Sequence, residues 1–69
     1  MRIVINGSER EIPRGATVAE AVDAAGAAAA RTGLAVAVDG EVVPRGEWER
    51  TLLVEGQRVE VLQAVQGGS

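Results

Sequence analysis

The chemistry open to this 69-residue chain is concentrated in its acids and in its last three residues. Gly67-Gly68-Ser69 closes the sequence. Glycines lack a Cβ, so a Gly-Gly segment is thin enough to thread into a narrow slot in another protein. A C-terminal α-carboxylate can attack the α-phosphate of ATP and become an acyl adenylate, provided an enzyme positions both. Gly-Gly-Ser is also the ordinary flexible linker unit and a common cloning remnant, and composition leaves both readings open.

The side chains offer less. There is no Cys, His, Lys, Tyr or Phe, and the titratable side chains are 10 carboxylates and 7 arginines. Thiolate nucleophiles, zinc cages, Ser-His-Asp triads and haem ligands are therefore excluded, as are a Schiff-base lysine and a P-loop lysine. Glu9 and Glu11 share a strand face, and Glu47, Glu49, Glu55 and Glu60 gather in the second half. General acid chemistry would need burial or a close like charge to raise a carboxyl pKa. These residues fall in turns and on polar strand faces, so the reading is a solvated surface that steers a basic partner.

A chain this short buries only ~60% of the surface its unfolded form exposes, and its core supplies roughly 3–5 kcal/mol. A deep pocket with its own catalysis is not expected. An apolar fraction of 46%, a charged fraction of 25% and a net charge of −3 describe a globular chain. No apolar run approaches the ~20 residues of a bilayer span, and Met1 leads straight into alternation without a signal-peptide layout. The expectation is a cytoplasmic protein that engages neither membrane nor nucleic acid, since no basic stripe or aromatic stacking surface is present.

The elements follow from local signals. Arg2 to Ile5 alternates as a first strand, Asn6-Gly7 is a two-residue hairpin turn, and Ser8 to Ile12 returns antiparallel. Pro13-Arg14-Gly15 closes that hairpin's far end. Thr17-Val18-Ala19-Glu20 is a capping box, and Val18, Ala21, Val22 and Ala25 lie on one face of a helix of two to three turns. Gly26 suits its C-terminal cap, and a loop runs through Thr32-Gly33. Leu34 to Val38 is a strand, Asp39-Gly40 a second hairpin turn, and Glu41 to Val43 a short strand ended by Pro44. A helical turn across Arg45 to Trp48 follows. Thr51 to Val54, the Glu55-Gly56 turn and a strand from Arg58 to Val65 complete a domain of residues 1–65, with 66–69 as a flexible tail.

Two hairpins, one helix and a last strand give an α+β fold of the β-grasp layout. It is a mixed sheet of four to five strands with the helix on one face and the last strand parallel to the first. One helix covers one face, so the other stays open. In the last strand Val59 and Val61 turn to the helix, which leaves Glu60, Leu62 and Ala64 on the open face beside Ala35 and Ala37. That shallow apolar patch leads to the terminus and is the expected docking surface, with Gln66 beyond it. Trp48, the sole aromatic side chain, is read first as an anchor for the irregular segment and second as a docking contact.

Val43-Pro44-Arg45 followed by Trp48, the Leu34-Ala35-Val36-Ala37-Val38 strand, the Thr17-Val18 helix start and the run from Arg58 to Gly68 together resemble the thiamine-pathway sulfur carrier family, ThiS. This is a ubiquitin-like β-grasp family. The resemblance implies a carrier with no catalytic group and no stably bound cofactor, a monomer when free. A ThiF-type adenylyltransferase would use ATP and Mg²⁺ to adenylate Gly68, a persulfide donor would supply sulfur as a terminal thiocarboxylate, and thiazole synthase, ThiG, would receive it. Gly67 and Gly68 form the working terminus, and Leu62 corresponds to an open-face docking position. Ser69 departs from the pattern, because such carriers end in glycine. As a native residue it makes a pro-form that a peptidase trims. As a cloning remnant, the reading preferred here, it leaves a working chain that stops at Gly68. A related carrier of the molybdopterin pathway, a carrier shared with other sulfur-incorporating pathways, and a β-grasp interaction module with an inert tail are the alternatives.

Overall fold

The computed structural model describes residues 1–26 and 33–63. Five strands and one α-helix follow in the order β1 (Arg2–Ile5), β2 (Ser8–Glu11), α1 (Val18–Ala24), β3 (Leu34–Val38), β4 (Glu41–Val43) and β5 (Arg58–Gln63), with a 3₁₀ turn at Arg45–Glu47. The sheet order is β2-β1-β5-β3-β4. Each hairpin is antiparallel, β5 runs parallel to β1 and antiparallel to β3, and β5 is the central strand. This is the mixed β-grasp sheet expected from the sequence.

Both hairpins turn as their dipeptides dictate. Asn6 and Gly7 have φ of 50° and 83°, and Asp39 and Gly40 have φ of 50° and 86°. Two successive positive φ values define a type I′ turn, whose twist matches that of the flanking strands. Asn and Asp tolerate the left-handed region better than other side chains, and glycine enters it without penalty.

The helix is seven residues long and is held at both ends from outside its own ladder. At the start Thr17 Oγ1 accepts from the Glu20 amide at 3.3 Å, while Glu20 Oε1 accepts from the Thr17 amide at 2.9 Å. At the end Gly26 takes φ +76°, and Arg10 on β2 donates from Nη1 to the Ala24 carbonyl at 2.7 Å. A cation at the negative end of the helix dipole also suits it electrostatically.

The core lies between α1 and one face of the sheet. Val18, Ala21 and Val22 of the helix pack with Ile3, Ile5, Val36, Val38, Val59 and Val61 of the strands, and Leu53 and Trp48 close the edge. Ile3, Val18, Val36 and Val59 are the largest fully buried side chains. Burial of each contributes about 1.5–3 kcal/mol, so no single one is dispensable in so small a core.

Residues 51–54 differ from a strand of the sheet. They form a connector that lies along the helix entry, with an isolated bridge between Thr17 and Leu52. The Val18 amide donates to Thr51 and the Leu53 amide to Ala16, both at 2.9 Å. These partners are on the loop before α1 and on α1 itself, which puts the segment out of reach of the sheet's ladders. No helix among the described residues is long and apolar enough to cross a membrane.

Candidate functional site

β5 carries the candidate site because it is central and leads toward the glycine pair. Its burial alternates: Val59 and Val61 are buried, and Arg58, Glu60 and Leu62 are exposed. Across the pairing with β3, Leu62 stands opposite Ala35 and Glu60 opposite Ala37. Directly paired residues share a face, so these four side chains lie together on the side away from α1. Leu62 is 63% exposed. The small side chains of Ala35 and Ala37 on the neighbouring β3 leave it standing above that flank.

Val42 belongs to the same surface. It pairs with Ala37 on the outer strand and is 74% exposed, more than any other large apolar residue described. Sequence reading passed it over, although the alternation of Glu41-Val42-Val43, with Val43 turned to the core, was enough to place it. On the opposite flank Val4 pairs with both Arg58 and Glu9, so the apolar row is bordered by charge. All six carboxylates singled out from the sequence are exposed, and no polar or charged residue among those described is buried. Glu9 and Glu60, on this face, offer a partner an acidic rim.

Trp48 sits on the other side of the sheet. It is 7% exposed, and its indole Nε1 donates to the Val43 carbonyl at 2.9 Å. The Arg45 guanidinium lies over the ring, 5.4 Å from its centre. The side chain thus ties the 3₁₀ turn to the end of β4, the anchoring arrangement, and shows little of itself to a partner. A shallow groove beside it is lined by Ala19, Val22, Asp23, Leu34 and Arg45. Trp48 and Leu62 are therefore not parts of one surface.

Both type I′ turns also hold β5 with their side chains. Asp39 Oδ1 accepts from the Arg58 amide at 3.0 Å, and its Oδ2 accepts from Gln57 Nε2 at 3.2 Å. Asn6 Oδ1 accepts from the Val61 amide at 2.8 Å, and Asn6 Nδ2 donates to the Val61 carbonyl at 3.3 Å. Sequence reading recognised these residues only as turn formers. Ala64, Gln66, Gly67 and Gly68, the remaining residues singled out there, lie outside the described residues.

The ThiS family model matches residues 3–68. The chain belongs to the ThiS family. Among solved structures it is similar to a thiamine biosynthesis protein (ThiS) from Geobacter metallireducens, with a TM-score of 0.80 and 28% sequence identity, covering 99% of this chain and 100% of that one. No curated protein matches it significantly. The ThiS match ends on Gly68, so the glycine pair lies inside the family's span and Ser69 outside it.

Proposed function

We propose that this chain is the sulfur carrier of thiamine thiazole formation, working through the carboxylate of Gly68. The observation that carries the reading is the family match, which runs from the first strand through both glycines. The open face of β5, with Leu62 opposite Ala35 and Glu60 opposite Ala37, is the docking surface for the enzymes that act on the terminus. Ala64 and Gln66 follow Leu62 in sequence on the way to the glycine pair, and Trp48 supports the fold behind the docking surface.

In this mechanism a ThiF-type adenylyltransferase binds ATP and Mg²⁺ and receives the terminus. A Gly68 carboxylate oxygen attacks the α-phosphorus, and pyrophosphate leaves. A persulfide sulfur then attacks the acyl carbon and expels AMP. Cleavage of the resulting S–S bond by a thiol leaves the thiocarboxylate on Gly68, and thiazole synthase of the ThiG type takes up that sulfur. The carrier contributes no proton donor or acceptor; it contributes a recognisable surface and a terminus slender enough to reach another active site. The missing Cys and Lys spare an activated Gly68 from the usual nucleophiles of its own chain.

The test is intact-mass analysis after incubation with an activating enzyme, ATP and a sulfur source, run on the chain with Ser69 and on one ending at Gly68. The expected result is thiocarboxylate on the shorter chain and little on the longer one, because Ser69 displaces the carboxylate from the ATP. Efficient conversion of the chain still carrying Ser69 would remove the pro-form reading. No conversion of either chain would remove the carrier reading.

A further inference from the structure

The two clamps on β5 are not equivalent, and the difference bears on the terminus. On its β3 side β5 is paired residue by residue from Val59 opposite Val38 to Gln63 opposite Leu34. On its β1 side the ladder is short: Val4 pairs with Arg58 and Ile5 with Val59, and then β1 leaves through the Asn6-Gly7 turn. The Asn6 amide makes the last main-chain bond there, donating to the Val59 carbonyl at 2.9 Å. Beyond it, the Val61 amide and carbonyl on this flank would face no strand.

The Asn6 side chain takes the place of that strand. A carboxamide sets a C=O acceptor and an N–H donor side by side in one plane, the same two functions a peptide group offers a neighbouring strand. Here it meets both main-chain groups of Val61, so the ladder is continued by one residue with a side chain in place of backbone. We infer that Asn6 is a positioning residue for the carrier terminus: its carboxamide fixes the β1-side edge of β5 at Val61 and thereby sets the direction in which the chain departs toward Gly68. This rests on the carrier reading above. Asp39 supplies the natural contrast, since it grips β5 at Arg58, the end away from the terminus.

Docking and placement separate in the kinetics of adenylation. The exposed side chains of Leu62 and Glu60 do not touch Asn6 in any of its hydrogen bonds, so the affinity of the activating enzyme for the carrier does not depend on the clamp. Placement of the carboxylate against the α-phosphate does. The experiment uses whichever chain the activating enzyme accepts, ending at Ser69 or at Gly68, and compares wild type with Asn6→Gly, Asn6→Asp and Asp39→Gly. Glycine keeps the positive φ of either turn and removes the clamp. Asn6→Asp keeps an acceptor for the Val61 amide and sets a second oxygen against the Val61 carbonyl.

The expected result for Asn6→Gly is a kcat for adenylation lowered roughly threefold to tenfold with KM for the carrier unchanged. Asn6→Asp should fall between it and wild type, and Asp39→Gly should keep the wild-type kcat. Hydrogen exchange gives the direct readout: the Val61 amide loses protection in Asn6→Gly while the Val59 amide keeps it. A purely structural role lowers the folded fraction, which raises apparent KM and leaves kcat alone; that outcome overturns the inference. So does an unchanged kcat in Asn6→Gly, or an equal loss in Asp39→Gly. Should Asn6→Gly fail to fold, the kcat and Val61 exchange of Asn6→Asp decide. A wild-type chain that is not activated in either form overturns the carrier reading, and this inference with it.

Discussion

Trp48 and Leu62 show how differently two large apolar side chains can be used in one small domain. Trp48 is buried and spends its one polar atom on the Val43 carbonyl. Trp48→Phe removes that bond and part of the ring, and should destabilise by about 1–2 kcal/mol. Trp48→Ala should cost about 3–5 kcal/mol, as much as the whole domain can supply, and leave it largely unfolded at room temperature. Urea titration followed by far-UV circular dichroism measures both. Leu62 has almost nothing to lose inside the fold. Leu62→Ala should stay within about 0.5 kcal/mol of wild type, and any loss in carrier activation by that variant is a loss of docking. A Leu62→Ala chain melting well below wild type would show that its contacts were structural.

At the scale of elements, the short helix depends on its ends. With only seven residues, most of its amides and carbonyls are terminal, so caps supply what length cannot. Thr17→Ala should cost about 1 kcal/mol, and Glu20→Ala, which removes the reciprocal half of the box, less than that. Gly26→Ala is a cleaner case. A Cβ there meets nothing within 4 Å, so the expected cost of about 1 kcal/mol comes from the backbone at φ +76° alone. Thermal melts of the three variants check the order.

The elements were legible because each has a local cause: Asn-Gly and Asp-Gly for the turns, Thr17 and Glu20 for the helix start, and alternation for Val59 and Val61. The open face was legible for the same reason, since one inward residue in a strand fixes the side of its neighbours. Residues 51–54 were harder, because Leu52, Leu53 and Val54 satisfy a strand template. Only the Ala16 and Thr17 contacts, set by tertiary packing, show them as a connector. The clamps were not legible. Nothing in Asn6 or Asp39 tells a turn residue from one whose side chain reaches a strand more than 15 positions away.

At the scale of the whole molecule, the fold divides the labour of its two sheet faces. One is sealed by α1, and the other presents Val42, Leu62 and the alanines with a charged flank at Arg58 and Glu9. Removing Gly67 to Ser69 should therefore leave the melting temperature within a degree or so of wild type while abolishing sulfur transfer. Partner affinity measured by calorimetry should survive in part, through the open face. Full transfer by the truncated chain would assign the chemistry elsewhere.

The central position of β5 has a mechanical consequence. A partner that draws the terminus into its own active site pulls on β5 along its axis. The parallel bonds to β1 and the antiparallel bonds to β3 then bear the load side by side, so they must yield together in shear. The β1–β2 hairpin is the opposite case: force applied between Arg2 and Glu11, its open end, opens the pairs one after another. In single-molecule stretching, attachment through Met1 and the terminus should give a much higher unfolding force than attachment through Arg2 and Glu11. If the terminus carries the cargo as proposed, the domain is tethered to it by its mechanically strongest strand, so a tug there moves the domain as a body before it unravels it.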